Sequence, residues 1–190
     1  MIYNKIVKIN KWKVLDSKLV LDEKWYKVRQ EKVEIKPGKI ADDYFLGIFN
    51  DIVMVAAITA DSKIPLVKQY KHGAGEILLE LPAGYIEDDE EPLAAAKREL
   101  AEETGFTAPT WHKLGFFYRN PTKARGNAIH LFLALNAEET HPQVLDDNEN
   151  IELVIRSFHE AVSMAKSGKL KVSDTVLALL LAQQKLVESS

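Results

Sequence analysis

The sequence predicts an α/β fold: a mixed sheet with helices on its faces, preceded by a small N-terminal antiparallel β appendage. Short Val- and Ile-rich segments recur along most of the chain, one Ala-rich segment has helical spacing, and two more helical segments close it. At 190 residues the chain has room for one domain and an appendage.

Residues 4–35 are rich in Val, Ile, Trp and Lys and tend to alternate, as in Trp25-Tyr26-Lys27-Val28-Arg29 and Lys32-Val33-Glu34-Ile35. Such alternation marks half-buried strands, and Pro37-Gly38 then gives a turn. Strand candidates follow at Tyr44–Phe49, Ile52–Thr59, Ile64–Gln69 and Ile77–Leu81. Breaks fall at Asn50-Asp51, at Asp61-Ser62-Lys63 and at Gly73 and Gly75. The clearest helix runs from Pro92 to Thr104. Pro92 suits a first turn, where its missing N–H loses nothing, and Leu93, Ala96, Leu100 and Thr104 fall on one stripe before Gly105 stops the helix. Lys113–Tyr118 and Ala128–Leu135 read as strands flanking a loop at Arg119–Asn127. An acidic loop, Asp146–Asn150, precedes a strand at Ile151–Arg156. Two helices finish the chain, Phe158–Ser167 before Gly168 and Asp174–Val187 with Ser173 as its N-cap. The expected organisation is a β segment over residues 1–45 and a catalytic domain over 46–190.

Composition excludes several functions. With 25 basic and 28 acidic side chains the net charge is −3, which argues against general nucleic-acid binding. The absence of cysteine removes a disulfide scaffold, a thiolate zinc site and a cysteine nucleophile, and fits a reducing cytoplasm. The start, MIYNKIVKIN, lacks the ~7–15-residue apolar stretch of a signal peptide. The longest apolar runs, Val53–Ile58 and Val176–Ala182, fall short of the ~20 residues of a membrane helix. A cytoplasmic protein without membrane or nucleic-acid partners is expected. The 5 histidines have no metal-ligand spacing, and His130 reads as a packed strand residue. Gly73-Ala-Gly75 is not a phosphate-binding Walker loop, and no G-x-S-x-G elbow is present.

The chemistry lies on the helix at Pro92–Thr104. Glu99, Glu102 and Glu103 sit at i, i+3 and i+4 and share one face beside the apolar stripe, at the rim of the core. Three carboxylates there repel one another unless positive charge sits among them. Arg98 can hold Glu102 at i+4, and a hard divalent cation, Mg²⁺ or Mn²⁺, suits the rest. Taken alone, the triplet could equally be a solvated face with i,i+4 pairs. The surrounding residues decide. Gly84, Glu90, Arg98, Glu99, Leu100, Glu102, Glu103, Gly105 and Phe106 fill every specified position of the Nudix box, G-x5-E-x7-R-E-U-x-E-E-x-G-U. The chance of such a match at ordinary residue frequencies is on the order of 10⁻⁷. The chain resembles a Nudix hydrolase.

That resemblance implies an α/β/α sandwich and metal-dependent hydrolysis within the diphosphate of a nucleoside diphosphate derivative. It implies Glu99 and Glu103 as main metal ligands, Glu102 as a further ligand or orienting partner, the Ala83 carbonyl completing the set, and Glu90 and Arg98 as braces. Val67-Lys-Gln-Tyr-Lys71 and Glu76-Ile-Leu-Leu-Glu-Leu-Pro-Ala-Gly84 resemble the ADP-ribose and nucleotide-sugar pyrophosphatase branch. In that branch Lys71 stands where an Arg is usual, keeping the charge but not the bidentate phosphate contact. Glu80 joins Lys71 as a substrate-binding candidate. Pro121, 15 residues after Phe106, resembles the proline of ADP-ribose pyrophosphatases, though its context Arg119-Asn120-Pro121-Thr122 departs from the common S-P-G and plain turn chemistry also accounts for it.

The branch also implies a homodimer in which the segment 1–45 swaps strands between subunits. Trp25, Tyr26 and Arg29 would then stack on adenine and hold a phosphate, or the aromatics are strand core. Asp146-Asp-Asn-Glu-Asn-Ile-Glu152 resembles the loop that carries the base for the attacking water, with Glu149 the candidate and Asp147 and Glu152 the alternatives. A solvated acidic loop is the competing explanation. The expected reaction is hydrolysis of ADP-ribose to AMP and ribose 5-phosphate. A nucleoside diphosphate sugar such as ADP-glucose is the nearest alternative substrate, and a non-catalytic nucleotide-sensing domain the rival from another class.

Overall fold

The computed structural model describes residues 9–188; residues 1–8, where the expected β segment begins, and 189–190 lie outside the described residues. In chain order the first elements are strands β1 (Lys13–Glu23), β2 (Tyr26–Lys36), β3 (Lys39–Ile48), β4 (Ile52–Ile58), β5 (Lys63–Lys71), β6 (Glu76–Glu80) and β7 (Ala83–Tyr85). Helix α1 (Pro92–Thr104) follows. Next come β8 (Phe106–Thr107), β9 (Thr110–Tyr118), β10 (Ala124–Arg125), β11 (Ala128–Leu135), β12 (Glu138–Glu139) and β13 (Ile151–Ser157). Helices α2 (Phe158–Lys166) and α3 (Ser173–Glu188) close the chain. These elements form two compact units: residues through Phe49 with Asn120–Asn127, and Asn50–Arg119 with Ala128 onward.

The second unit is an α/β/α sandwich. β4 runs parallel to β11, whose other edge pairs antiparallel with β9, while β7 pairs antiparallel with β4. A separate antiparallel sheet has the order β13-β5-β6. The expected mixed sheet is β7-β4-β11-β9, and the antiparallel sheet stands apart from it. Both edges of β4 are taken by β7 and β11, and both edges of β5 by β6 and β13, so consecutive strands meet only at their turn.

Period-two alternation explains why both faces of β4 are covered. Val53, Val55 and Ala57 pack with Ala95, Ala96 and Leu100 of α1, together with Phe132 and Ala134. Met54, Ala56 and Ile58 point the other way, toward Ala161 and Val162 of α2 and Ala178, Leu179 and Ala182 of α3. Small residues on all three helices let their backbones sit close to the strands.

Helix α1 has the bounds that its spacing predicts. Pro occupies the first turn, and Gly105 caps the C-terminus at φ 76°, donating its N–H to Ala101 O at 2.8 Å. A Cβ at Gly105 would lie 2.0 Å from the His141 carbonyl oxygen, so only glycine suits this position. Leu93 departs from the expected stripe and remains partly exposed, whereas Ala96, Leu100 and Thr104 are buried. Ser173, expected as an N-cap, is the first residue of α3, while Ser157 caps α2 by accepting the Glu160 N–H at 3.1 Å.

The first unit is a sheet of order β1-β2-β3-β10, in which β10 joins β3 in parallel. Among the described residues its buried apolar side chains are few, Val33 and Leu46, and β1 is exposed at every position rather than half-buried. Glu31 is buried there and pairs with Arg125 Nη2 at 3.0 Å.

Candidate active site

The site is assembled where β7 passes α1. Gly84 allows the approach: a Cβ there would fall 2.0 Å from the Glu99 carboxylate, so the absence of a side chain is a steric requirement. Beside it the Ala83 N–H donates to Glu103 Oε2 at 2.8 Å, joining strand to helix. Ala83 therefore meets the acidic cluster through its N–H, whereas the expectation from sequence concerns its carbonyl.

Arg98 organises the acidic groups. Its Nε and Nη2 grip Glu90 at 3.0 and 2.9 Å, Nη1 donates to Glu99 at 2.7 Å and to Glu102 at 3.1 Å, and Nη2 also reaches the Tyr85 carbonyl at 3.0 Å. This planar, five-donor fork suits several carboxylates at once. Glu90 in turn accepts the Glu87 N–H at 3.1 Å, which ties down the loop entering α1. The hydrogen bonds that Arg98 donates hold the Glu90 carboxyl below its usual pKa, and the same bonds to Glu90 raise Arg98 above its own.

Glu99 and Glu103 are buried at 8% and 3% exposure. Desolvation raises the Glu99 pKa despite the Arg98 contact. It pushes Glu103 up to about 8, the Ala83 N–H opposing and the charges of Glu99 and Glu149 adding to the rise. Two buried carboxylates on one helix, sharing a single close guanidinium contact, are a donor set for a hard cation. Among the described residues no three acidic or histidine side chains converge at metal-ligand distance. Glu99 is turned toward Arg98 and Glu103 toward Ala83, contacts that satisfy these oxygens from other directions. The oxygen chemistry, the burial and the Gly84 clearance fit a divalent cation.

The remaining candidates divide by unit. Lys71 Nζ lies 3.0 Å from Glu80 Oε1, an ion pair without hydrogen-bond geometry. Both line a cavity of about 370 Å³ that also touches Ala83, Gly84 and Tyr85. Glu149 accepts the Asp146 N–H at 3.0 Å and lies close enough for its charge to raise Glu99 and Glu103. It also lines a second cavity, of about 430 Å³, with Gln69 and Tyr70. Glu152 is engaged by Lys68 at 2.8 Å. Trp25, Tyr26, Arg29 and Pro121 all belong to the first unit. There Trp25 is 76% exposed, Tyr26 meets Phe49 edge-on at 5.4 Å, and Arg29 Nη1 donates to Ser17 at 3.2 Å.

Sequence reasoning missed Arg119 and Asp174. They line the 370 Å³ cavity, joined by a 2.6 Å hydrogen bond from Arg119 Nε to Asp174 Oδ2. Nothing local flags a pair 55 positions apart. His130 packs edge-on against Phe116 at 4.9 Å, and burial followed by the charge of Lys113 holds its pKa down.

Comparison with known proteins places this geometry. The NUDIX domain family matches residues 49–178. An ADP-ribose pyrophosphatase of Bacillus subtilis (strain 168) is 34% identical over 157 residues, covering 82% of this chain and 83% of that protein. A methanol dehydrogenase activator of Bacillus methanolicus is 29% identical over 168 residues, covering 88% and 90%. A GDP-mannose pyrophosphatase of Yersinia pestis (strain Pestoides F) is 27% identical over 181 residues, covering 86% and 88%. The crystal structure of an ADP compounds hydrolase superposes with a TM-score of 0.82 at 22% identity, covering 97% of this chain and 98% of the other, which establishes the shared fold.

Proposed function

The chain belongs to the Nudix family of hydrolases, and we propose from this that it hydrolyses ADP-ribose within the diphosphate, giving AMP and ribose 5-phosphate. One observation carries the reading: two buried carboxylates, Glu99 held by Arg98 and Glu103 held by the Ala83 N–H, near a cavity lined by Lys71 and Glu80. The 34% identity to an ADP-ribose pyrophosphatase supports this choice of substrate. A nucleoside diphosphate sugar is the second reading, favoured by the likeness to a GDP-mannose pyrophosphatase.

In this account Glu99 and Glu103, with Glu102 and the Ala83 carbonyl, would hold Mg²⁺ or Mn²⁺. When bound, the ion neutralises the diphosphate and lowers the pKa of water. Glu149 accepts the proton of the attacking water, and Arg98 with Glu90 keeps the helix and its entry loop in register. Lys71 takes a phosphate oxygen as a point charge. The water oxygen bonds to phosphorus, the bridging P–O bond breaks, and the departing phosphate carries its electron pair.

Residues 1–45 form the dimerisation segment of a homodimer, whose Trp25, Tyr26 and Arg29, with Pro121, contact the nucleotide. The exposed apolar residues of β1 are the support for this assignment. The setting is the cytoplasm, without nucleic-acid or membrane partners. Among the described residues no helix is long and apolar enough to cross a membrane.

The test is product release over a panel of ADP-ribose, ADP-glucose, GDP-mannose, UDP-glucose, NADH, diadenosine polyphosphates and dNTPs, with Mg²⁺ and with Mn²⁺. Preference for ADP-ribose, with AMP and ribose 5-phosphate as products, is expected. Preference for a nucleotide sugar moves the specificity and keeps the mechanism. No turnover from folded, metal-loaded protein contradicts the assignment and favours a nucleotide-sensing domain.

A further inference from the structure

Between β6, which ends at Glu80, and β7, which begins at Ala83, the chain leaves one sheet of the sandwich and enters the other. The crossing residues, Leu81 and Pro82, stand outside both strand ladders, so their backbone groups need partners from elsewhere. Pro82 has no N–H, and its carbonyl accepts the Val55 N–H at 3.0 Å. Leu81 is fully buried, and its N–H donates to Thr175 Oγ1 at 3.1 Å. Thr175 lies in the first turn of α3, 94 positions away in the chain, and is itself fully buried. Valine has nearly the same shape but cannot accept. In this place it would leave the Leu81 N–H buried and unpaired, an unfavourable state relieved by movement of the crossing.

The hydroxyl has a second contact. Having accepted from Leu81, Thr175 Oγ1 is free to donate, and Met54 Sδ lies 3.7 Å from it. Met54 is the β4 residue that pairs with Ala83. One hydroxyl therefore touches both strands where Ala83 is delivered to the site. From there the Ala83 N–H reaches Glu103, and Gly84 passes too close to Glu99 to admit even a methyl group. A small shift of the crossing is thus felt at both carboxylates.

We propose that Thr175 is a positioning residue for cation binding and catalysis: its hydroxyl fixes the Leu81–Pro82 crossing, and through it the placement of Ala83 and Gly84 against Glu103 and Glu99. A helix on the far face of β4 thereby governs the acids of α1. The proposal rests on the diphosphate hydrolysis assigned above.

The test compares wild type, Thr175→Val, Thr175→Ser and Val162→Ala, the last a control that loosens the same core without removing the hydroxyl. Mn²⁺ affinity is read by electron paramagnetic resonance of the free ion, kcat on ADP-ribose, and amide exchange of Ala83 by nuclear magnetic resonance of the metal-free protein. Thr175→Val should weaken Mn²⁺ binding and lower kcat by about ten-fold or more, and should speed exchange at Ala83 more than at Leu131 of β11. Thr175→Ser keeps the hydroxyl and should stay within about three-fold of wild type in all three readings. Val162→Ala should lose stability and keep the Mn²⁺ affinity of wild type. If Thr175→Val does not fold, Thr175→Cys, whose sulfur is a weak acceptor, replaces it. Mn²⁺ affinity equal to wild type in the folded variant, or equal weakening in Thr175→Ser or Val162→Ala, overturns the positioning role. If wild type neither binds Mn²⁺ nor turns over ADP-ribose, the hydrolysis assignment fails separately, and exchange at Ala83 decides. Acceleration in Thr175→Val but not in Thr175→Ser then supports the role of the hydroxyl, and equal rates overturn it.

Discussion

Every residue from Val53 to Ile58 in the sandwich unit is buried, because α1 covers one face of β4 and α2 with α3 cover the other. Val14, Leu15, Leu19, Val20 and Leu21 of β1 in the first unit are all 40–48% exposed. Both segments are rich in β-branched and aliphatic residues, so composition does not separate them. What differs is whether the chain supplies its own cover. A sheet needs an apolar face packed against something to be stable. The sandwich meets this within the chain and places its carboxylates at the edge of the resulting core. Among the described residues the first unit has two buried apolar side chains, Val33 and Leu46, and on our proposal its cover comes from a second subunit.

The largest effects are expected in the sandwich, at the carboxylates. Glu99→Gln or Glu103→Gln should lower kcat by about 10³-fold or more while leaving the circular dichroism spectrum intact. Retained turnover would separate the buried acids from catalysis. Next comes Gly84→Ala, whose methyl would displace the Glu99 carboxylate from 2.0 Å away. A displacement of about 1 Å corresponds to roughly a 10²-fold loss in turnover, measurable by the same assay. Arg98→Lys loses the two-point grip on Glu90, and urea denaturation should register a loss of about 1–3 kcal/mol.

In the first unit the comparison predicts a different signature. A Leu19→Glu, Leu21→Glu double variant should sediment as a monomer while the sandwich changes in stability by less than about 0.5 kcal/mol. An unaltered sedimentation coefficient would mean that β1 needs no cover.

A further effect, on stability alone and without metal, lies in pH. Glu103 has its pKa raised from 4.5 to about 8 in the folded protein. The unfolded chain therefore releases this proton first. The Glu103 contribution is fully present below about pH 4.5 and is lost as pH rises toward 8, at no more than about 1.4 kcal/mol per pH unit. Glu103→Gln should flatten the metal-free stability profile over that interval, as followed by thermal unfolding in EDTA.

Much of this was legible in the sequence for a physical reason: local patterns report local structure. Pro92, the 3.6-residue spacing and Gly105 delimit α1 without tertiary information, and i, i+3, i+4 geometry alone groups Glu99, Glu102 and Glu103. Gly84 was visible as a motif position, but its role, clearance for Glu99, belongs to the packing of β7 on α1. Arg119–Asp174 and Lys71–Glu80 had no comparable signal as pairs: the first joins elements far apart in the chain, and the second depends on the register of β5 against β6. The attachment of Asn120–Asn127 to the first unit was hidden likewise: β10 is 2 residues long and pairs with a strand more than 70 positions earlier. The split into two sheets follows from which strand edges are already paired, and alternation says nothing about edges.

The central claim is that the buried acids of α1 are a cation cradle, with Arg98 holding Glu99 and the Ala83 N–H holding Glu103 in the absence of the ion. Titration of Mn²⁺ into wild type and Glu103→Gln, read by electron paramagnetic resonance of the free ion, tests it most directly. The account predicts binding by wild type that tightens as pH rises toward 8 and weakens by at least about ten-fold in the variant. Equal Mn²⁺ affinity in the two folded proteins would contradict it.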